Sequence, residues 1–302
     1  MRATLASLEA MASTTPLTRS LAGVDVYPIG LGEMPMSLDG RPDEERSIRT
    51  IHAALDAGVN LIDTADAYAR DHRDIGHGER LVAKALKGRR DDVVVATKGG
   101  LTRNRGQHWP PDGRPEHLRA ACEASLRALE TDRIDLYQFH RPDPKVPYAE
   151  SVGTFKELQD EGKVRWVGIS NATVAQLEEA LGVVDVVSVQ NQLSLAYASP
   201  IAKGELQACT DRGIAFLPWS PLGGISTAAQ TAGGVDPVRG AAEAHGVSPQ
   251  QVALAWLLSL GPTVIPIPGA SRPETITDSL RAAELVLTDA ERQAISAAVG
   301  VA

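Results

Sequence analysis

Several apolar runs in this chain end on residues that can bind, hold charge or move a proton. LIDTADAY, which starts at Leu61, turns polar at Asp63, and the run VVVATK stops at Lys98. LYQFH stops at His140, VGISN at Ser170 and Asn171, and two later runs stop at Gln190 and Ser220. An acid, a lysine, a histidine and two side-chain amides at equivalent points of successive runs suit acid–base work, because a lysine or aspartate buried at a strand end requires a partner. A different chemistry is suggested by His72, Asp74, His77 and Glu79, which lie close enough for divalent-metal ligands and a metal-dependent barrel hydrolase. A solvated polar loop explains those four more simply, since barrel metal sites usually gather ligands from several strand ends. No metal is expected, and activity in chelator separates the two readings.

The elements that must position these residues are read from periodicity. Eight β-branched apolar runs bounded by turn signals are expected to be strands: 29–32, 61–64, 93–98, 134–140, 164–170, 186–190, 214–219 and 264–268. Amphipathic stretches lie between them. Ile48, Ile51 and Leu55 share one helical face, as do Leu118, Cys122, Leu126 and Leu129. Ser248 followed by Pro249 reads as an N-cap with proline in the first turn, and Gly58, Gly162, Gly182, Gly213 and Gly261 read as helix C-terminal glycines. Eight alternations of strand and helix predict a parallel sheet closed into a (β/α)8 TIM barrel. A Rossmann sheet is rejected, because Gly30-Leu31-Gly32 is followed by Glu33, Met34 and Pro35 and lacks the third glycine of the dinucleotide fingerprint. Residues 1–22 are expected to be a disordered extension and 23–302 a single barrel domain.

Composition narrows the partners. A formal net charge of −8 supplies no field for nucleic acid or anionic lipid. The apolar stretch from Val252 to Leu260 is about half of what spans a bilayer. The N-terminus lacks a signal-peptide core, and the two cysteines, Cys122 and Cys209, make neither a CxxC pair nor a disulfide framework. A monomeric cytoplasmic protein with buried thiols, no membrane association and no nucleic-acid partner is the expectation.

In this order and at these spacings, LIDTADAY, VVVATK, LYQFH, VGISN and IPIPGASRPE resemble the aldo-keto reductases over nearly the whole chain, from about Val26 to Ala290. The resemblance implies an NADPH-dependent enzyme that reduces an aldehyde or ketone, with NADH a weaker alternative. Hydride delivery leaves charge on the carbonyl oxygen that must be stabilised and protonated. By resemblance Tyr68 is the proton donor, Lys98 the neighbour that lowers its pKa, Asp63 the anion holding Lys98, and His140 the hydrogen-bond donor orienting the carbonyl.

Cofactor contacts follow in the same way. Ser170, Asn171 and Gln190 match the positions holding the nicotinamide carboxamide, Trp219 the ring stacked on it, and Ser220 and Leu222 join the cofactor wall. Gly269, Ser271 and Arg272 match the loop that takes the adenosine 2′-phosphate, where a guanidinium suits a dianion; a solvated charge at a helix start is the plainer alternative for Arg272. Thr275 and Ser279 stand where many relatives place glutamine and asparagine against adenine. Met34, Trp109 and the segment around Ser226 are the expected substrate walls. A binding module that senses redox state with negligible turnover is the non-enzymatic alternative, and turnover of a generic aldehyde distinguishes it.

Overall fold

A computed structural model of the chain describes residues 18–104, 108–224 and 232–301. It begins with an antiparallel hairpin, β1 (Arg19–Leu21) and β2 (Val24–Val26). Ala22 and Gly23 both have positive φ, the backbone a tight two-residue hairpin turn requires. Leu21 and Val26 are fully buried, so the hairpin packs into the molecule. Short strands of this kind carry too little alternation to be read from sequence; residues 1–17 lie outside the described residues.

Seven parallel strands follow in sequential order: β3 (Leu31–Gly32), β4 (Leu61–Asp63), β5 (Val94–Gly99), β6 (Ile134–Phe139), β7 (Val164–Ser170), β8 (Val186–Gln190) and β9 (Ala215–Phe216). The period-two alternation of a strand sorts their side chains. Leu61, Val94, Ala96, Leu136, Ala215 and Leu217 pack inside with Leu21 and Val26, so the hairpin plugs one end of the barrel. Ile62, Val95, Tyr137, Phe139 and Val189 pack outward with the helices. Among these, Ile51 and Leu55 on Glu44–Asp56 and Leu118, Cys122 and Leu126 on Pro115–Ala128 are buried on the faces that the spacing predicts.

The eighth run, 264–268, is corrected from a full strand to a bridging segment. Pro266 and Pro268 have no N–H to give to a ladder. Their carbonyls accept from Gly30 N at 2.9 Å and Gly32 N at 3.0 Å, while Ile265 N and Ile267 N reach back to Phe216 O and Pro218 O at 2.9 and 3.2 Å. These bonds close the (β/α)8 barrel with about half the usual ladder on the β3 side. The two backbones approach so closely at this seam that a Cβ on Gly32 would stand 2.8 Å from Ile267 O.

The helix signals hold in part. Ser248 Oγ accepts from Gln251 N at 3.2 Å, capping Pro249–Ser259. Gly58, Gly162 and Gly213 adopt positive φ; Gly182 is the C-cap of Val174–Leu181 with a right-handed φ of −71°, and Gly261 follows the C-cap of Pro249–Ser259 without a positive φ. Among the described residues no helix is long and apolar enough to cross a membrane.

Candidate active site

Alternation places Asp63, Lys98 and Gln138 on the interior face at the C-terminal ends of β4, β5 and β6, and they meet. Lys98 Nζ, fully buried, donates to Asp63 Oδ2 at 2.6 Å, to Thr64 O at 2.9 Å and to Tyr68 Oη at 3.1 Å. Asp63 Oδ1 accepts from Gln190 Nε2 at 2.7 Å and Gln138 Nε2 at 3.2 Å, so both carboxylate oxygens are occupied. Burial opposes the charge on Lys98, but Asp63 and Tyr68 outweigh it and hold the ammonium's pKa above its usual value.

Lys98 lowers the pKa of Tyr68 as expected, through its charge and its hydrogen bond, but it does not set the net direction. Burial is the larger influence and raises the phenol's pKa, while the ammonium pulls the other way without prevailing. Tyr68 is therefore a neutral O–H donor at rest. Its ring stands edge-on to His140, with centroids 5.8 Å apart, and to Trp109 at 6.1 Å. Burial, then the charges of Lys98 and Arg141, push the His140 pKa well below the histidine range, so the imidazole is neutral and has one N–H to give. Nδ1 is buried with no partner among the described residues, which favours the tautomer with hydrogen on Nε2, since that strands a lone pair and not a donor.

These groups open onto a cleft of about 960 Å³, lined by Asp63, Tyr68 and His140 at its base, with Lys98 beneath. Met34, Pro35, Leu101, Trp109 and Arg141 contribute to its walls. Ser170, Asn171, Gln190, Trp219, Ser220 and Leu222 also line it, as do Gly269, Ser271, Arg272, Thr275 and Ser279. All the residues expected to bind a ligand thus face one cleft, apart from the segment around Ser226, which lies outside the described residues.

Two of the lining side chains present acceptors. Asn171 holds φ +55°, a left-handed conformation asparagine tolerates. Its Nδ2 donates to His140 O at 3.0 Å and Ser170 Oγ at 3.1 Å, and among the described residues its Oδ1 takes no bond. Gln190 spends its amide hydrogens on Asp63 and, at 3.4 Å, on Gln138 Oε1, so only its Oε1 is left to meet a ligand. Two amide oxygens suit a carboxamide NH2, and Trp219, half-buried with its indole N–H unpartnered, supplies a flat apolar wall. Arg272, also in the lining, is exposed at the N-cap of Pro273–Leu280 without a side-chain capping bond, where a guanidinium and a helix N-terminus both favour an anion. This donor set fits a phosphorylated nicotinamide dinucleotide.

The four loop residues weighed as metal ligands do not converge. Glu79 is buried and accepts from Thr97 Oγ1 at 2.6 Å, while Asp74 pairs with Arg41 at 2.5 Å. Among the described residues, no group of three or more His, Cys, Asp and Glu could hold a metal ion. Sequence reasoning missed Gln138, although it stands two residues before His140 and period two puts both on one face. It also missed Glu33 and Arg103. Arg103 is buried, with its guanidinium 4.1 Å over the Trp109 ring and Nη2 on the carbonyls of Ala69 and Arg70, and its loop position carries no periodic signal.

A model of the aldo/keto reductase family matches residues 28–299. An uncharacterized oxidoreductase of Schizosaccharomyces pombe is 36% identical over 269 residues, 86% of this chain and 82% of that protein. Among solved structures, a glycerol dehydrogenase from Gluconobacter oxydans is similar with a TM-score of 0.80 at 28% identity, covering 95% of this chain and 96% of its own. An aldo/keto reductase from Klebsiella pneumoniae in complex with NADP and acetate reaches 0.77 at 27% identity, covering 93% of this chain and 94% of its own.

Proposed function

The chain belongs to the aldo/keto reductase family, and from that premise we propose that it reduces an aldehyde or ketone to the alcohol with NADPH, using Tyr68 as proton donor. When bound, the nicotinamide supplies a hydride to the carbonyl carbon. The chain's own residues handle the oxygen. His140 donates its single N–H to the carbonyl and fixes its direction toward Tyr68. As negative charge gathers on the oxygen, the Tyr68 O–H bond breaks and its proton completes the alcohol. Lys98, 3.1 Å from Oη, offsets the tyrosinate left behind, and solvent then returns a proton to it. Asp63 keeps Lys98 charged and in place; Gln138 and Gln190 hold the Asp63 carboxylate in position by donating to it. Asn171 and Gln190 would hold the carboxamide through their amide oxygens, Trp219 the ring face, and Arg272 with Gly269 and Ser271 the 2′-phosphate.

The observation that carries this reading is a buried ammonium bonded at once to a carboxylate and to a phenol at the base of the cleft. Purified protein should consume NADPH with some of a panel of sugar aldehydes, pyridoxal, aromatic aldehydes and ketones. Tyr68→Phe should lower turnover by about 10²- to 10⁴-fold, the usual worth of positioned acid catalysis, and leave NADPH binding nearly unchanged. Wild-type turnover in that variant would remove Tyr68 from the mechanism, and an inactive panel would favour a binding module.

A further inference from the structure

Glu33 is a charged group at the heart of the molecule for which the reduction scheme has no use. It follows directly on β3, its backbone N–H donates to Asp63 O at 2.9 Å, and it is fully buried. Its carboxyl accepts from the hydroxyl of Ser37 and, at 3.0 Å, from Thr64 Oγ1. The first turn of His77–Ala85 presses on it so closely that a Cβ on Gly78 would stand 2.2 Å from Oε2. Thr64 is also the residue whose carbonyl accepts from Lys98 Nζ at 2.9 Å. One threonine therefore separates this carboxyl from the ammonium that touches Tyr68.

The charged and titratable groups around Glu33 come from three sides: Asp63 from β4, with Tyr68 from the loop after it; Lys98 from β5; and His77 and Glu79 from the packed helix. Glu79 turns away to Thr97, and none of the hydrogen bonds to Glu33 comes from a cation. A glutamine would satisfy the same two hydroxyls without the cost of burying an acid, so hydrogen bonding alone does not account for a carboxyl here.

We infer that Glu33 is a positioning residue for the reduction, acting through Thr64 and Lys98 to set how readily Tyr68 gives up its proton. The inference rests on Tyr68 being the donor. With Glu33 protonated, Lys98 answers to one carboxylate and is free to offset a tyrosinate. With Glu33 ionised, a second negative charge engages the ammonium and opposes the charge that Tyr68 must take up; the same repulsion already raises the phenol's pKa. Burial raises the Glu33 pKa to about 7 against the opposing hydroxyl bonds and Lys98, which puts the change within the neutral range.

The test is single-turnover reduction of benzaldehyde, which does not titrate, at saturating NADPH across the neutral range. The wild-type rate should fall on the order of tenfold as pH rises through about 7, the effect of one added charge a few ångströms beyond a contact pair. Glu33→Gln should hold the acidic-side rate throughout. Thr64→Val removes a hydrogen bond that favours the ionised carboxyl and should move the fall to higher pH. In the infrared, a protonated-carboxyl band should disappear in step with the wild-type rate and be missing from Glu33→Gln. A pH profile in Glu33→Gln identical to wild type overturns the inference even if its melting temperature moves, because that is the signature of a purely structural carboxyl. Should the variant not fold, a wild-type rate that falls without any carboxyl band titrating beside it overturns the inference equally. Absence of any reduction by the wild type defeats the reductase reading and this inference with it, whereas reduction with an unmoved profile defeats the inference alone.

Discussion

Replacing Asp63 by asparagine leaves the Lys98 ammonium fully buried without its contacting carboxylate, with only neutral acceptors, the Thr64 carbonyl, the Tyr68 phenol and the new amide oxygen, to bond to. Breaking a buried ion pair from one side costs about 3–5 kcal/mol, because the remaining charge is neither hydrated nor paired. Lys98→Met should cost somewhat less, since Asp63 would keep its bonds from Gln190 at 2.7 Å and Gln138 at 3.2 Å. If the two sites were independent, the double variant would lose about 6–9 kcal/mol, most of what a typical domain has. It should instead be no less stable than Asp63→Asn alone, a coupling of about 3 kcal/mol, because removing both charges strands neither. Urea titrations followed by far-ultraviolet circular dichroism and tryptophan fluorescence on all four proteins give the cycle. The pair should also weaken at high pH. The folded pKa of Lys98 lies above its ordinary 10.5, so its contribution is complete below that value and is lost as pH rises through the folded one. Additivity to within about 0.5 kcal/mol would refute the reasoning, since independent sites add that closely.

Other outcomes follow from the same structure. Arg272→Ala should weaken NADPH by roughly tenfold to hundredfold and leave NADH almost unchanged, the loss of a charge-assisted bond to a phosphate, and the NADPH preference should shrink with salt; equal weakening of both, read by fluorescence quenching, would mean that Arg272 only shapes its loop. For stability, the folded Glu33 carboxyl keeps its proton over a range where an unfolded one has lost it, so stability declines as pH rises from 4.5 to about 7. Glu33→Gln should therefore gain on wild type by about 3 kcal/mol across that window, and a gap between their urea midpoints that does not change with pH counts against it. Asp66 and Glu79, raised by burial, act in the same direction, while neutral His140 acts oppositely below its ordinary 6.5. Gly99→Ala would set a Cβ 2.0 Å from Tyr137 Oη and should cost about 1–3 kcal/mol or more by overpacking. Tyr137→Phe should recover part of that and be nearly neutral by itself, because the hydroxyl is buried without a partner; thermal melts of the three variants decide it.

Much of the barrel is legible in the residue pattern because burial on both faces forces parallel strands into apolar runs. Val164–Ser170 and Val186–Gln190 match their runs to the residue. The run at Ile214 to Trp219 shrinks to Ala215–Phe216 and the proline-bearing run to bridges, since an apolar pattern does not show which amides find partners. In the cleft, Asp63 and Lys98 announce themselves by charge at a strand end. Glu33 does not, for its partners are Ser37 in the next turn and Thr64 from another strand end, contacts between segments that periodicity does not encode. The direction of the Tyr68 pKa is illegible for a related reason: a neighbouring lysine can be guessed from a motif, but the depth of burial that outweighs it belongs to the packed molecule.

The proline-bearing closure has a mechanical consequence. A cylinder fastened from β5 to β8 by long ladders and at this seam by alternate bonds opens more easily between its first and last staves than along its middle. Gly30 and Gly32 supply the amides that cross there, to Pro266 O and Pro268 O, so their hydrogens should exchange with solvent sooner than those in the middle of β5 or β6. The loop bearing Gly269, Ser271 and Arg272 continues directly from this last stave, and Gly269 bridges back to Gly32. A nucleotide gripping that loop would act as a hoop, damping the opening of the cylinder far more than its contact area suggests.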